Sequence, residues 1–153
     1  WIIEYFQRSK STHVDLNRYK LEAFLLKNES DQINEYIINA LFSDNKYVRE
    51  HMADIVGEKK LVAAEDNLII QLKRETNIYT TSSIVEALGK IDSKKSIDAI
   101  KEWLNNNAEE TIENGDYFAI KHFRNAIVKI DNGKTLNDFD SKYFDILKTN
   151  NEI

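Results

Sequence analysis

Asp44-Asn45-Lys46-Tyr47-Val48-Arg49-Glu50-His51-Met52-Ala53-Asp54-Ile55-Val56-Gly57 decides how the rest of the chain is read. Shifted forward by 32 residues, Gly57 falls on Gly89, Val56 on Leu88, Ile55 on Ala87, Met52 on Ile84 and Tyr47 on Tyr79. Shifted back by 32, Val48 falls on Leu16, Ala53 on Leu21 and Val56 on Phe24. After the third unit the step grows to 39, and Ala87-Leu88-Gly89-Lys90-Ile91-Asp92 overlays Ala126-Ile127-Val128-Lys129-Ile130-Asp131. Self-similarity at such a period is the mark of a stacked repeat. The additional residues fall around 105–115, where Asn105-Asn106-Asn107-Ala108-Glu109-Glu110 reads as a loop.

Each unit holds two apolar-periodic segments. Leu61, Ala64, Leu68 and Leu72 follow helical spacing, as do Ile84, Ala87, Leu88 and Ile91. Neither stripe is wide enough to be buried by one helix alone. Stacking neighbouring pairs closes a common core.

Composition agrees with a helical reading. Proline is absent and glycine occurs only 4 times, so helix breakers are scarce. With 153 residues, 42% of them hydrophobic and 31% charged, the chain is long and apolar enough for a real core. Cysteine is absent, which excludes disulfides and thiolate chemistry and fits a cytoplasmic setting. A net charge of −5 speaks against nucleic acid, whose capture needs clustered Lys and Arg. No apolar run approaches the roughly 20 residues of a membrane span. The chain opens on Trp1 rather than Met, so a processed product or a piece of a longer protein is expected.

Taken in order, 1–8 reads as a short helix and 16–26 as its partner. Ser30 or Asp31 caps a helix over 32–42, and Asp44 or Asn45 caps the next, with Gly57 as its left-handed closing residue. Helices follow over 61–74 and 80–90, and Ser93 caps one over 95–105. Trp103 stands where the preceding unit has Gln71 and is read as packing. The pattern resumes over 117–130 and stops at Asn132-Gly133. Thr135 and Asp138 resemble a capping box for a last helix, whose stripe Phe139, Tyr143, Phe144 and Leu147 covers the end of the stack.

The pattern Asp-x-x-x-Val-Arg-x-x-Met-Ala-x-x-Val-Gly over 44–57 resembles HEAT-like repeats, in particular the short bacterial type also seen in phycobilisome lyases. The third unit departs from it with Thr80 and Thr81, and the fourth has Val128 in place of Gly. The resemblance implies an all-α, right-handed α-α solenoid. It would hold about four hairpins over 1–27, 30–58, 61–90 and 93–131, with a capping helix over 135–148. It also implies that Asp44 and Arg49 support the repeat, and that the second helix of each pair lines a concave face.

On that face one row is Glu22, Asp54, Glu86 and Asn125, spaced by the repeat step. Packed helices lie about 8–10 Å apart, so the row makes an acidic ladder suited to a basic segment. The alternative is ordinary intrahelical pairing, Glu86 with Lys90 and Arg18 with Glu22. The parallel row is Tyr19, His51, Ser83 and His122. His51 and His122 are two units apart, too far to share a metal whose ligands lie about 2 Å away. Ser83 and His51, with Asp54 or Glu86, have nucleophile chemistry but no nucleophile elbow or oxyanion glycine beside them. Lys121-His122-Phe123-Arg124, with Lys129, is the main basic concentration.

The expectation is therefore a protein–protein interaction module: a scaffold, adaptor or inhibitor without catalysis or cofactor. Its concave-face contacts are expected at Glu22, Arg49, His51, Asp54, Glu86, Lys121 and His122. Two rivals follow from the resemblance: a nucleic-acid-binding relative of DNA glycosylases, and a lyase-like or chaperone protein acting on a bound chromophore.

Overall fold

A computed structural model describes residues 16–132 and 134–149. The helix expected over 1–8 lies outside them. Among the described residues there are helices and no strands. The α-helices are α1 Leu16–Lys27, α2 Asp31–Ala40, α3 Lys46–Lys59, α4 Glu65–Arg74, α5 Ile78–Lys90, α6 Ile97–Glu113, α7 Tyr117–Asp131 and α8 Leu136–Thr149.

Successive odd-numbered helices pack side by side, α1 on α3, α3 on α5, α5 on α7. Behind them α2 packs on α3, α4 on α5 and α6 on α7, while α4 also meets α6 and α8 closes on α7. Burial repeats at the steps read from the sequence. Met52, Ile84 and Phe123 are fully buried, and so are Val56, Leu88 and Ile127. Narrow stripes on separate helices thus merge into one apolar cluster running from Leu25 to Tyr143.

Two close helix contacts are made at glycine. A Cβ on Gly57 would stand 3.1 Å from the Cα of Ala87, and one on Gly89 would stand 3.0 Å from the Cα of Ala126. Gly57 is therefore not the closing residue of α3, as its sequence position suggests. It lies inside the helix and lets α5 approach. Lys60 closes α3 instead, at φ 51°, and Asp92 takes the same left-handed conformation beyond α5, at φ 56°. Val128, one repeat step beyond Gly89, is on the outside and 38% exposed. No further helix of the row presses on it among those described, so a side chain is tolerated.

Caps follow the same register. Asn45 Oδ1 accepts from the Tyr47 N–H at 2.9 Å, and Asn77 Oδ1 accepts from the Thr80 N–H at 3.2 Å. Ser30 Oγ accepts from the Ile33 N–H. Ser93 leads instead into a 3-10 turn over Lys94–Ser96, makes no side-chain cap, and α6 starts only at Ile97. Likewise a 3-10 turn, Val62–Ala64, precedes α4. The Thr135 N–H donates to Asp131 Oδ2 at 2.8 Å and its hydroxyl donates to the same oxygen, while the Asp138 half of the expected capping box lies outside the described side chains. Phe139 and Tyr143 are buried at the end of the stack, their ring centroids 5.0 Å apart. The side chains of Asp138, Phe144 and Leu147 are not among those described.

The largest departure concerns 105–110, expected as a loop. The segment is helical: α6 has 17 residues where α2 and α4 have 10 each. The difference of seven residues is two helical turns at 3.6 residues each. Leu104, Ala108 and Thr111 stay on the buried side, while Asn105, Asn106, Glu109 and Glu110 face out. Packing along that stripe overrides the weak helix propensity of three asparagines. The chain turns only at Asn114-Gly115-Asp116, where Gly115 has φ +81°.

Candidate interaction face

The face formed by α1, α3, α5 and α7 carries three rungs, each joining one helix to the next. Glu22 Oε1 lies 3.3 Å from His51 Nδ1. Asp54 faces Ser83, whose hydroxyl favours its ionised carboxylate. Glu86 Oε2 lies 3.1 Å from His122 Nδ1. In each rung the acid-row residue of one helix meets the parallel-row residue of its successor. The two rows that the sequence sets side by side are therefore cross-linked. The structure places His51 against Glu22 and Ser83 against Asp54, so the partners weighed for a Ser83–His51 couple are taken up differently.

Lys90 ties the third rung to Glu58 on α3. Its Nζ lies 2.7 Å from Glu86 Oε1 and 2.7 Å from Glu58 Oε1. The intrahelical Glu86–Lys90 pair thus exists together with the interhelical rung. Burial tends to raise the Glu86 carboxyl, but Lys90 first, then His122 and Lys129, hold it below its ordinary value. Asp54 goes the other way. Burial raises it, the Ser83 hydroxyl opposes this, and the Glu86 charge adds to the rise. Asn125 ends the row exposed on α7.

Arg49 is held differently from the rest. Its Nε and Nη2 make a bidentate pair with Glu75 at 2.6 and 2.8 Å, and its Nη1 donates to the carbonyls of Ser43 and Asp44. Glu75, with a side chain only 1% exposed, also accepts from the Gln71 amide and the Asn77 N–H. This network clamps the α2–α3 turn to the α4–α5 turn. Asp44 contributes its carbonyl, and its carboxylate charge also favours ionised Arg49. In the basic run, Phe123 is fully buried, which separates half-buried Lys121 and His122 from Arg124.

Two features of this edge were not identified as functional from sequence. Tyr47, Tyr79 and Phe118 recur at the repeat steps near the N-terminal ends of α3, α5 and α7. Tyr47 is 40% exposed and Tyr79 57%. The Tyr79 and Phe118 rings stack, 5.1 Å between centroids, and Phe118 meets His122 edge-on. The Tyr47–Tyr79 identity was visible in the overlay; its exposure was not. Beside the stack lies a cleft of about 410 Å³ between the start of α5 and the lengthened α6. Its wall includes Asn77, Trp103, Asn107, Glu110 and Asp116, with the clamped Glu75 at its back.

Among the described residues no three His, Cys, Asp or Glu are grouped to hold a metal ion. Among them, too, no helix is long and apolar enough to cross a membrane. No family model, no curated protein and no solved structure matches the chain.

Proposed function

We propose that this chain is a non-catalytic protein-binding module. Its helices form a right-handed, HEAT-like solenoid of about four hairpins closed by α8. The partner lies across α1, α3, α5 and α7, on the inner face of the superhelix. The observation that carries this reading is the aromatic row of exposed Tyr47 and Tyr79 and half-buried Phe118, set in the same register as the three rungs. Exposed tyrosines beside a fixed polar ladder offer large contact area at small entropic cost, the composition favoured at interfaces. The recurrence of one close contact, Gly57 on Ala87 and Gly89 on Ala126, supports the repeat reading. The expected contacts Glu22, His51, Asp54, Glu86, Lys121 and His122 lie on helices of this face, whereas Arg49 serves to brace two turns.

Site-specific photo-crosslinking tests this. Benzoylphenylalanine at Tyr79 is expected to capture a discrete protein, and at exposed Ile70 on α4 to capture none. Tyr47→Ala with Phe118→Ala should abolish the Tyr79 adduct. Adducts formed equally from Ile70, or from neither position, overturn the reading.

A further inference from the structure

The cleft beside the Tyr79–Phe118 stack has a definite chemistry. It carries the carboxylates of Glu75, Glu110 and Asp116 and no lysine or arginine in its wall. Glu75 is neutralised by Arg49. Glu110 and Asp116 have no ion-pair partner among the described residues. Around them stand the amides of Asn107 and Asn114, so hydrogen-bond acceptors line the α6 side of the cleft, while Asn77 Oδ1 is engaged by Thr80. Trp103 forms part of the wall, its ring held by a stack on Phe123 with centroids 4.3 Å apart. A planar cation with several donors matches this set, because guanidinium binds carboxylates with a rigid fork and stacks on aromatic rings.

The cleft adjoins the aromatic row along the chain. Ile78 in the cleft wall precedes Tyr79, and Asp116 stands two residues before Phe118. A chain crossing the row would bring a side chain within reach of the cleft. Extended backbone advances about 3.3 Å per residue, so one or two residues cover the distance from a stacked ring to its neighbour.

We propose that the partner docks through an extended segment whose arginine enters this cleft while an adjacent apolar residue lies on Tyr79 and Phe118. This rests on the protein-binding reading and adds the chemistry of the occupant. The two additional turns of α6 supply Asn107, Glu110 and Thr111, so the site exists because that helix is long.

The test uses the whole chain and Nα-acetyl-arginine amide as probe, with the citrulline analogue as its neutral counterpart. Two-dimensional NMR should show shifts at the Trp103 indole N–H and the Asn77, Asn107 and Asn114 amides. Arginine should bind at least about tenfold tighter than citrulline, the usual gain of a charge-assisted hydrogen bond. Glu110→Gln with Asp116→Asn should remove that preference. Asp116 makes no side-chain cap, so the pair leaves the helix start intact, and circular dichroism checks this. Equal binding of the two analogues, or shifts away from the cleft, overturns the proposal. A Tyr79 crosslink that persists unchanged in the double variant overturns the cleft and leaves the face standing. Arginine binding in the cleft without any Tyr79 crosslink keeps the cleft and overturns the face.

Discussion

Gly89 lies so close to Ala126 that a Cβ added to it would stand 3.0 Å from the alanine Cα and 3.2 Å from its Cβ. Helix α5 can meet α7 at this distance only because the position is bare. Gly89→Val is expected to cost about 2–3 kcal/mol through overpacking. Gly89→Ala costs less, since a gain of about 1 kcal/mol in helix propensity offsets part of the clash. Val128→Ala, on the outer side of α7, should stay within about 0.5 kcal/mol. Urea unfolding midpoints of the three variants check this ranking.

Glu75 sets a pH dependence. Burial alone would raise its carboxyl, but Arg49, the Asn77 N–H and Gln71 hold it at about 2, below the ordinary 4.5. A depressed carboxyl contributes stability that is present above its unfolded value and lost as pH falls through the folded one. The loss should therefore run from about pH 4.5 down to about 2 and amount to about 3 kcal/mol at most. Glu75→Gln should cost about 3 kcal/mol at neutral pH, because Arg49 loses its counter-charge. It should also flatten the acid limb of stability. Denaturant melts of both proteins across this range measure it.

Asp54 predicts the opposite sign. Its carboxyl is raised, chiefly by burial, so the folded state is penalised as pH rises through the folded value. Asp54→Asn keeps an acceptor for Ser83 and removes the charge. Its unfolding midpoint should exceed that of the parent at pH 7 and match it below the ordinary value of 3.8. A lower midpoint at neutral pH contradicts the burial argument.

Asn106 tests the helix that replaces the expected loop. The residue is exposed, so a substitution there reports chiefly on the backbone. Asn106→Pro should cost about 3 kcal/mol in a helix interior and almost nothing in a loop. Thermal unfolding followed by circular dichroism distinguishes the two.

The recurrence of buried positions was legible because it is carried by apolar residues at fixed steps: Met52, Ile84 and Phe123 are visible in sequence as apolar and in space as core. The rows Glu22–Asp54–Glu86 and His51–Ser83–His122 were legible from the same fixed steps, although their residues are only half-buried. Their cross-linking was not, because a step of 32 relates equivalent residues but says nothing of which unlike residues meet. Asn105 to Asn107 misled because local propensity outvoted the longer stripe through Leu104, Ala108 and Thr111. Gly57 misled because a glycine near a helix end usually closes it, and its contact with Ala87 is long-range.

The lengthening of α6 by whole turns has a consequence for how such a chain can vary. An increment of seven residues restores the rotational phase of the helix, so everything downstream keeps its seat. Increments of five or nine would swing Ala108 and Thr111 toward water and unseat α7. Growth along this axis is quantised, and a pocket wall can be raised or lowered one double turn at a time without redesigning the stack beneath it.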